Sequence, residues 1–64
     1  MISFWFVCDG KVEEYSGQEA DWDNSAVVLA KSPEEALIKL ILYNGGTLER
    51  GGVLYNGKVI EAIY

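Results

Sequence analysis

The chain is 64 residues long, half of them apolar and 12% aromatic, with a formal net charge of −5, one cysteine and no histidine. That length excludes a second core, and that apolar fraction excludes intrinsic disorder. One cysteine excludes an internal disulfide, and the absence of histidine removes the common metal ligand and the usual acid/base group near neutral pH.

A single domain over residues 1–64 is therefore expected. Folding at this size buries only about 60% of the unfolded surface and leaves a net stability of about a few kcal/mol. The lone Cys8 fits a reducing compartment, so a cytoplasmic location is expected, the host's if the chain is viral. A chain that opens on Met and closes on a strand-like run reads as a complete small protein. The apolar run at residues 2–8 has neither a basic flank nor a cleavage site, and it is too short to span a bilayer. Asp-Gly and Asn-Gly pairs suit a mesophile, since exposed Asn is thermolabile.

Residues 2–8, ISFWFVC, are β-branched and aromatic and predict a strand. Asp9-Gly10 then predicts a two-residue hairpin turn with positive φ at both positions. That turn pairs Cys8 with Lys11, Val7 with Val12, Phe6 with Glu13, Trp5 with Glu14 and Phe4 with Tyr15. Alternation puts Trp5, Val7 and Val12 on one face, and Phe4, Phe6, Cys8 and Tyr15 on the other. Large apolar groups on both faces predict a hairpin that is central or covered on each side.

Ser16 to Ser25 is an acidic connection carrying Trp22, and AVVLA at 26–30 reads as a buried strand. Ser32-Pro33-Glu34-Glu35 is a capping box with proline at the first helical position. A helix is expected from Pro33 to Tyr43 or Asn44, with a left-handed Gly45 after it and Glu35–Lys39 as an i,i+4 pair. Its sheet-facing arc is expected to hold Ala36, Leu37, Leu40, Ile41 and Tyr43. Ile38 and Leu42 extend that arc past what one sheet requires, so either a loop covers them or they form a patch for a homodimer or partner.

TLER, VLY and KVIEAIY read as short strands, with Gly51-Gly52 and Asn56-Gly57 as turns. The fold class expected is α+β, a single two-layer domain. One helix packs on a mostly antiparallel sheet of four or five strands in the order β-β-β-α-β-β.

Charge is concentrated in one segment. Residues 9–23 hold Asp9, Glu13, Glu14, Glu19, Asp21 and Asp23 against Lys11, while the rest of the chain is neutral. Direct nucleic-acid binding and an anionic membrane surface are both disfavoured, because each needs clustered Lys and Arg. A larger basic protein or nucleoprotein complex is the expected partner.

No catalytic set is visible, so a non-enzymatic protein without metal or cofactor is expected. Cys8 has no histidine to activate it and reads as a small hydrophobe. Glu13 and Glu14 are adjacent on a strand and point to opposite faces. Neither glycine pair is followed by the Lys-Ser/Thr of a phosphate loop. Asp21-Trp22-Asp23-Asn24-Ser25 has the opening spacing of a calcium loop, but Ala26 and Ser32 stand where Gly and Glu are needed.

Trp22 has two readings. It either plugs the small core with the acids outside, or stays partly exposed as an interface anchor beside steering carboxylates. The expected function is binding and inhibition of a basic, nucleic-acid-binding partner through Glu13, Glu14, Glu19, Asp21, Trp22 and Asp23. In size and charge the chain looks like the small acidic inhibitors that phages and mobile elements direct against host polymerases, nucleases or CRISPR complexes. The alternative is a structural or regulatory module that dimerises through Ile38 and Leu42.

Overall fold

A computed structural model describes residues 1–64 as β1 (Ser3–Cys8), β2 (Lys11–Glu14), β3 (Ser25–Ala30), α1 (Pro33–Asn44), β4 (Arg50–Tyr55) and β5 (Lys58–Ile63). The strands form one sheet in the order β2-β1-β3-β5-β4, and α1 lies on it. Every pairing is antiparallel except β3 with β5, where Val28 is opposite Ile63. No helix is long and apolar enough to cross a membrane.

The two hairpins close as their turn dipeptides dictate. Asp9 and Gly10 have φ of 51° and 77°, Asn56 and Gly57 of 47° and 80°, the positive values that a two-residue turn requires. The first hairpin has the expected register, and the Tyr15 N–H extends it by donating to Phe4 O at 3.1 Å. In the sheet, however, β2 is an outer strand and mostly exposed, so only β1 of this hairpin is covered on both faces. Lys11, Glu13 and Glu14 on a four-residue strand are the kind of sequence that tolerates a free edge.

Alternation divides the core in two. On the helix side Val7, Ala26, Val28, Ala30, Ala36 and Ile63 are buried, with Trp5, Trp22, Leu40 and Tyr43 packed against them. On the other side Phe6, Val27 and Ala62 are buried beneath Phe4, Tyr15, Ala20 and Ile60. Trp5 satisfies its indole nitrogen by donating to Ala30 O at 2.9 Å.

Ser32 Oγ accepts from Glu35 N–H at 3.1 Å and caps α1. The Glu35 carboxylate reaches back one residue beyond the cap and accepts from Lys31 N–H at 2.9 Å. The helix ends in a Schellman motif, with Gly46 N–H donating to Tyr43 O and Thr47 N–H to Leu42 O. The left-handed residue is therefore Gly46, at φ 82°, and not Gly45, at φ −83°. Gly46→Ala is expected to destabilise the domain by about 1 kcal/mol, read from the midpoint of urea unfolding, while Gly45→Ala costs less.

The rotation of α1 differs from the expected one. Ala36, Leu40 and Tyr43 face the sheet, whereas Leu37 and Ile41 join Ile38 and Leu42 on the exposed outer side. The small side chain of Ala36, fully buried, lets the helix backbone approach the sheet and fixes which ridge is seated. No loop covers Ile38 or Leu42.

Gly51-Gly52 is likewise not a turn but the interior of β4, and of TLER only Arg50 is in a strand. Neighbouring side chains explain the glycines. A Cβ on Gly51 would lie 2.9 Å from the Tyr64 ring, and one on Gly52 3.0 Å from a Val59 methyl. A side chain at either position would have to displace Tyr64 or Val59, both of which are exposed.

Candidate functional site

The acidic segment leaves β2 and returns to β3 by a turn built on Asp21. Its Oδ1 accepts from the N–H groups of Asp23 (3.1 Å), Asn24 (2.7 Å) and Ser25 (3.1 Å), and from Ser25 Oγ (3.3 Å). One carboxylate oxygen thus holds four donors, which is what the Asp-x-Asp-x-Ser spacing achieves in this chain. The hydrogen bonds from Asn24 and Ser25 hold the Asp21 carboxyl below its ordinary value of 3.8 against a smaller opposing effect of desolvation. A lowered folded-state pKa contributes stability that is present above the unfolded value and is lost as pH falls from there through the folded-state value. Asp21→Ala is therefore expected to lower stability at pH 7, and its gap from the parent chain should close as pH drops below 3.8, measured by urea unfolding at several pH values.

Trp22 follows at φ 60°, a left-handed conformation that tight turn geometry imposes on a bulky residue. Its indole is half-buried on the helix-side core, with the Tyr43 ring 5.9 Å away. The Arg50 guanidinium lies 4.5 Å from the indole centroid, and Arg50 Nε donates to Glu61 at 2.8 Å. The structure thus combines the two readings of Trp22: it plugs the groove beside α1 and keeps part of its surface open. Sequence reading gave no signal for Arg50, which is twenty-eight positions distant and far from the acidic run.

Two cavities adjoin this indole. A cleft of about 460 Å3 lies between the acidic connection and the β4–β5 turn, and Tyr15, Glu19, Trp22, Tyr55 and Lys58 contribute to its walls. Tyr15 and Tyr55 meet edge to face at 4.7 Å. Burial first, then Tyr55 and Glu19, push the Tyr15 hydroxyl above its ordinary pKa. A second notch of about 260 Å3 opens between the Asp9-Gly10 turn, the Asp23-Asn24 turn and the last turn of α1. The two turns are tied by Asp9 N–H donating to Asn24 O at 3.3 Å.

The six carboxylates are not neutralised within the chain. The ion pairs are Lys39–Glu35 at 4.0 Å and Arg50–Glu61 at 2.8 Å, and neither involves an acid of residues 9–23. Glu13 accepts from the Gln18 amide at 3.1 Å, while Glu14, Glu19 and Asp23 are exposed. Glu13 and Glu14 lie on β2, Glu19 borders the larger cleft and Asp23 the smaller notch, so the six expected contact residues do not share one surface. Desolvation, together with Asp9, Asp21 and Glu13, raises the Cys8 thiol above its ordinary 9.0 and keeps it protonated. Ile38 and Leu42 sit apart from all of these, on the outer face of α1.

No protein-family model, no curated protein and no solved structure matches the chain, so no family is assigned and its own residues carry the functional reading.

Proposed function

We propose that the chain is a small acidic, non-enzymatic binding protein that blocks or modulates a larger basic partner, a nucleic-acid-binding protein or nucleoprotein complex, in the cytoplasm. One observation carries this reading. Six carboxylates between residues 9 and 23 have no cationic partner, although five Lys and Arg residues exist in the chain. Asp9 and Asp23 also border the last turn of α1, which has no basic residue. The C-terminal end of a helix carries partial negative charge, so acids placed there raise the local field and oppose folding slightly. A field of that sign favours and accelerates encounter with a basic surface.

The test is titration with an oligo-arginine peptide at increasing salt. Affinity should fall steeply with ionic strength and fall again in Asp9→Asn/Asp23→Asn, but not in Glu34→Gln. Asp21 is left intact because it holds the turn. A salt-independent interaction, or none, would rule the reading out.

A second reading is favoured by a different surface. Leu37, Ile38, Ile41 and Leu42 form an exposed apolar stripe on α1 that fits self-association. Sedimentation equilibrium should then give a salt-insensitive dimer that Ile38→Glu converts to a monomer.

A further inference from the structure

We infer that the notch beside the C-terminal turn of α1 is a seat for a single guanidinium side chain, presented by the basic partner on which the proposed function rests. Val7, Ala26, Leu40, Trp22 and Tyr43 give it apolar and aromatic walls, and Asn24, Ser25 and Asn44 add polar ones. Its rim carries Asp23 and the Asp9-Gly10 turn, where the Asp9 carboxylate also accepts from Cys8 Sγ at 3.9 Å, and no Lys or Arg lines it. The last turn of α1 holds no basic residue that would offset these carboxylates. A notch with apolar and aromatic walls on one side and carboxylates at its mouth complements an arginine side chain, which buries its stem and keeps a charged head at the rim.

Size fits as well. The notch is half open to solvent and holds about 260 Å3. That accommodates the seven heavy atoms of one arginine side chain and is below the ~300 Å3 at which sites for larger ligands begin. Arginine is favoured over lysine by the aromatic walls. The indole of Trp22 already stacks one guanidinium, that of Arg50, at 4.5 Å on the side of β4. A planar, weakly hydrated cation gains more from such a surface than a compact ammonium does. The rim is also held in place, since the Asp9 N–H bond to Asn24 O and the four donors on Asp21 fix both turns.

The experiment is amide and indole NMR of the whole chain titrated with N-acetyl-arginine methylamide, with the lysine and norleucine analogues in parallel. Binding should be weak and saturable, with the largest shifts at Asp23, Asn24, Asn44 and the Trp22 indole. The arginine probe should bind at least threefold tighter than the lysine one, and the norleucine probe should not bind. Asp23→Asn and Asp9→Asn should each weaken it about fivefold. Asp9→Asn preserves the turn, because Asn-Gly suits positive φ as well as Asp-Gly does. Glu34→Gln should change nothing. Shifts scattered over Glu13, Glu14 and Glu19, or centred on Tyr15 and Tyr55, would overturn the seat while oligo-arginine binding still upheld the proposed function. Loss of binding to both probes would remove seat and function together. Equal affinity for arginine and lysine analogues would overturn the guanidinium assignment.

Discussion

Ile63→Ala is expected to leave the domain largely unfolded at 25 °C in water, with the loss visible in the far-UV circular dichroism and as a collapse of the urea midpoint. Ile63 and Val28 are the largest fully buried side chains, and they face each other at the one parallel pairing in the sheet. Three of the six buried residues in their cluster are alanines, so Val7, Val28 and Ile63 supply most of its fully buried apolar volume. A buried Ile→Ala change costs about 2–5 kcal/mol, from lost transfer energy and the cavity left behind. A domain of this size has about that much stability in total. Ile63→Val should cost only about 1 kcal/mol and leave a cooperative transition. If Ile63→Ala unfolded with the parent's midpoint, the helix-side core would not be what holds the fold.

Trp22→Ala is expected to weaken stability by about 2 kcal/mol, less than the about 3–5 typical of a fully buried aromatic because part of the indole stays open. Lost contacts with the core and Tyr43 make up most of that. The cation–π contact with Arg50 accounts for about 0.5–1 kcal/mol, so Arg50→Met should lose that share together with the exposed ion pair to Glu61. The backbone supplies a sharper test. Trp22 sits at φ 60°, where any residue with a Cβ is disfavoured by about 1 kcal/mol and glycine is not. Trp22→Gly should therefore unfold at a higher urea concentration than Trp22→Ala, the reverse of the usual order for these two replacements. The opposite ranking would show that the turn relaxes once the indole is gone. Because the indole walls both cavities, either variant should also lower affinity for oligo-arginine.

Much of the architecture was legible because it depends on neighbours in the chain. Asp9-Gly10 and Asn56-Gly57 fixed two hairpins and their registers through positive φ alone, and Ser32-Pro33-Glu34-Glu35 fixed where the helix starts. Alternation in the first hairpin assigned Trp5, Val7 and Val12 to one face of the sheet and Phe4, Phe6, Cys8 and Tyr15 to the other. These signals act over at most four residues, or repeat with a fixed period, so no knowledge of distant partners is required.

Other features waited on tertiary contacts. A helix apolar nearly all round does not state which side it seats, and buried Ala36 decided that against Leu37 and Ile41. Gly51-Gly52 resembles a turn until Tyr64 and Val59 are seen to occupy the space above it. At the site, the sequence determined a run of six acids around one indole and the turn that Asp21 makes. Only the folded chain brought Arg50 onto Trp22 and set Asp9 and Asp23 at the end of α1. The physical reason is range. Turn and cap geometry is local, whereas stacking, close packing and the field at a cavity depend on groups that only the sheet and helix bring together.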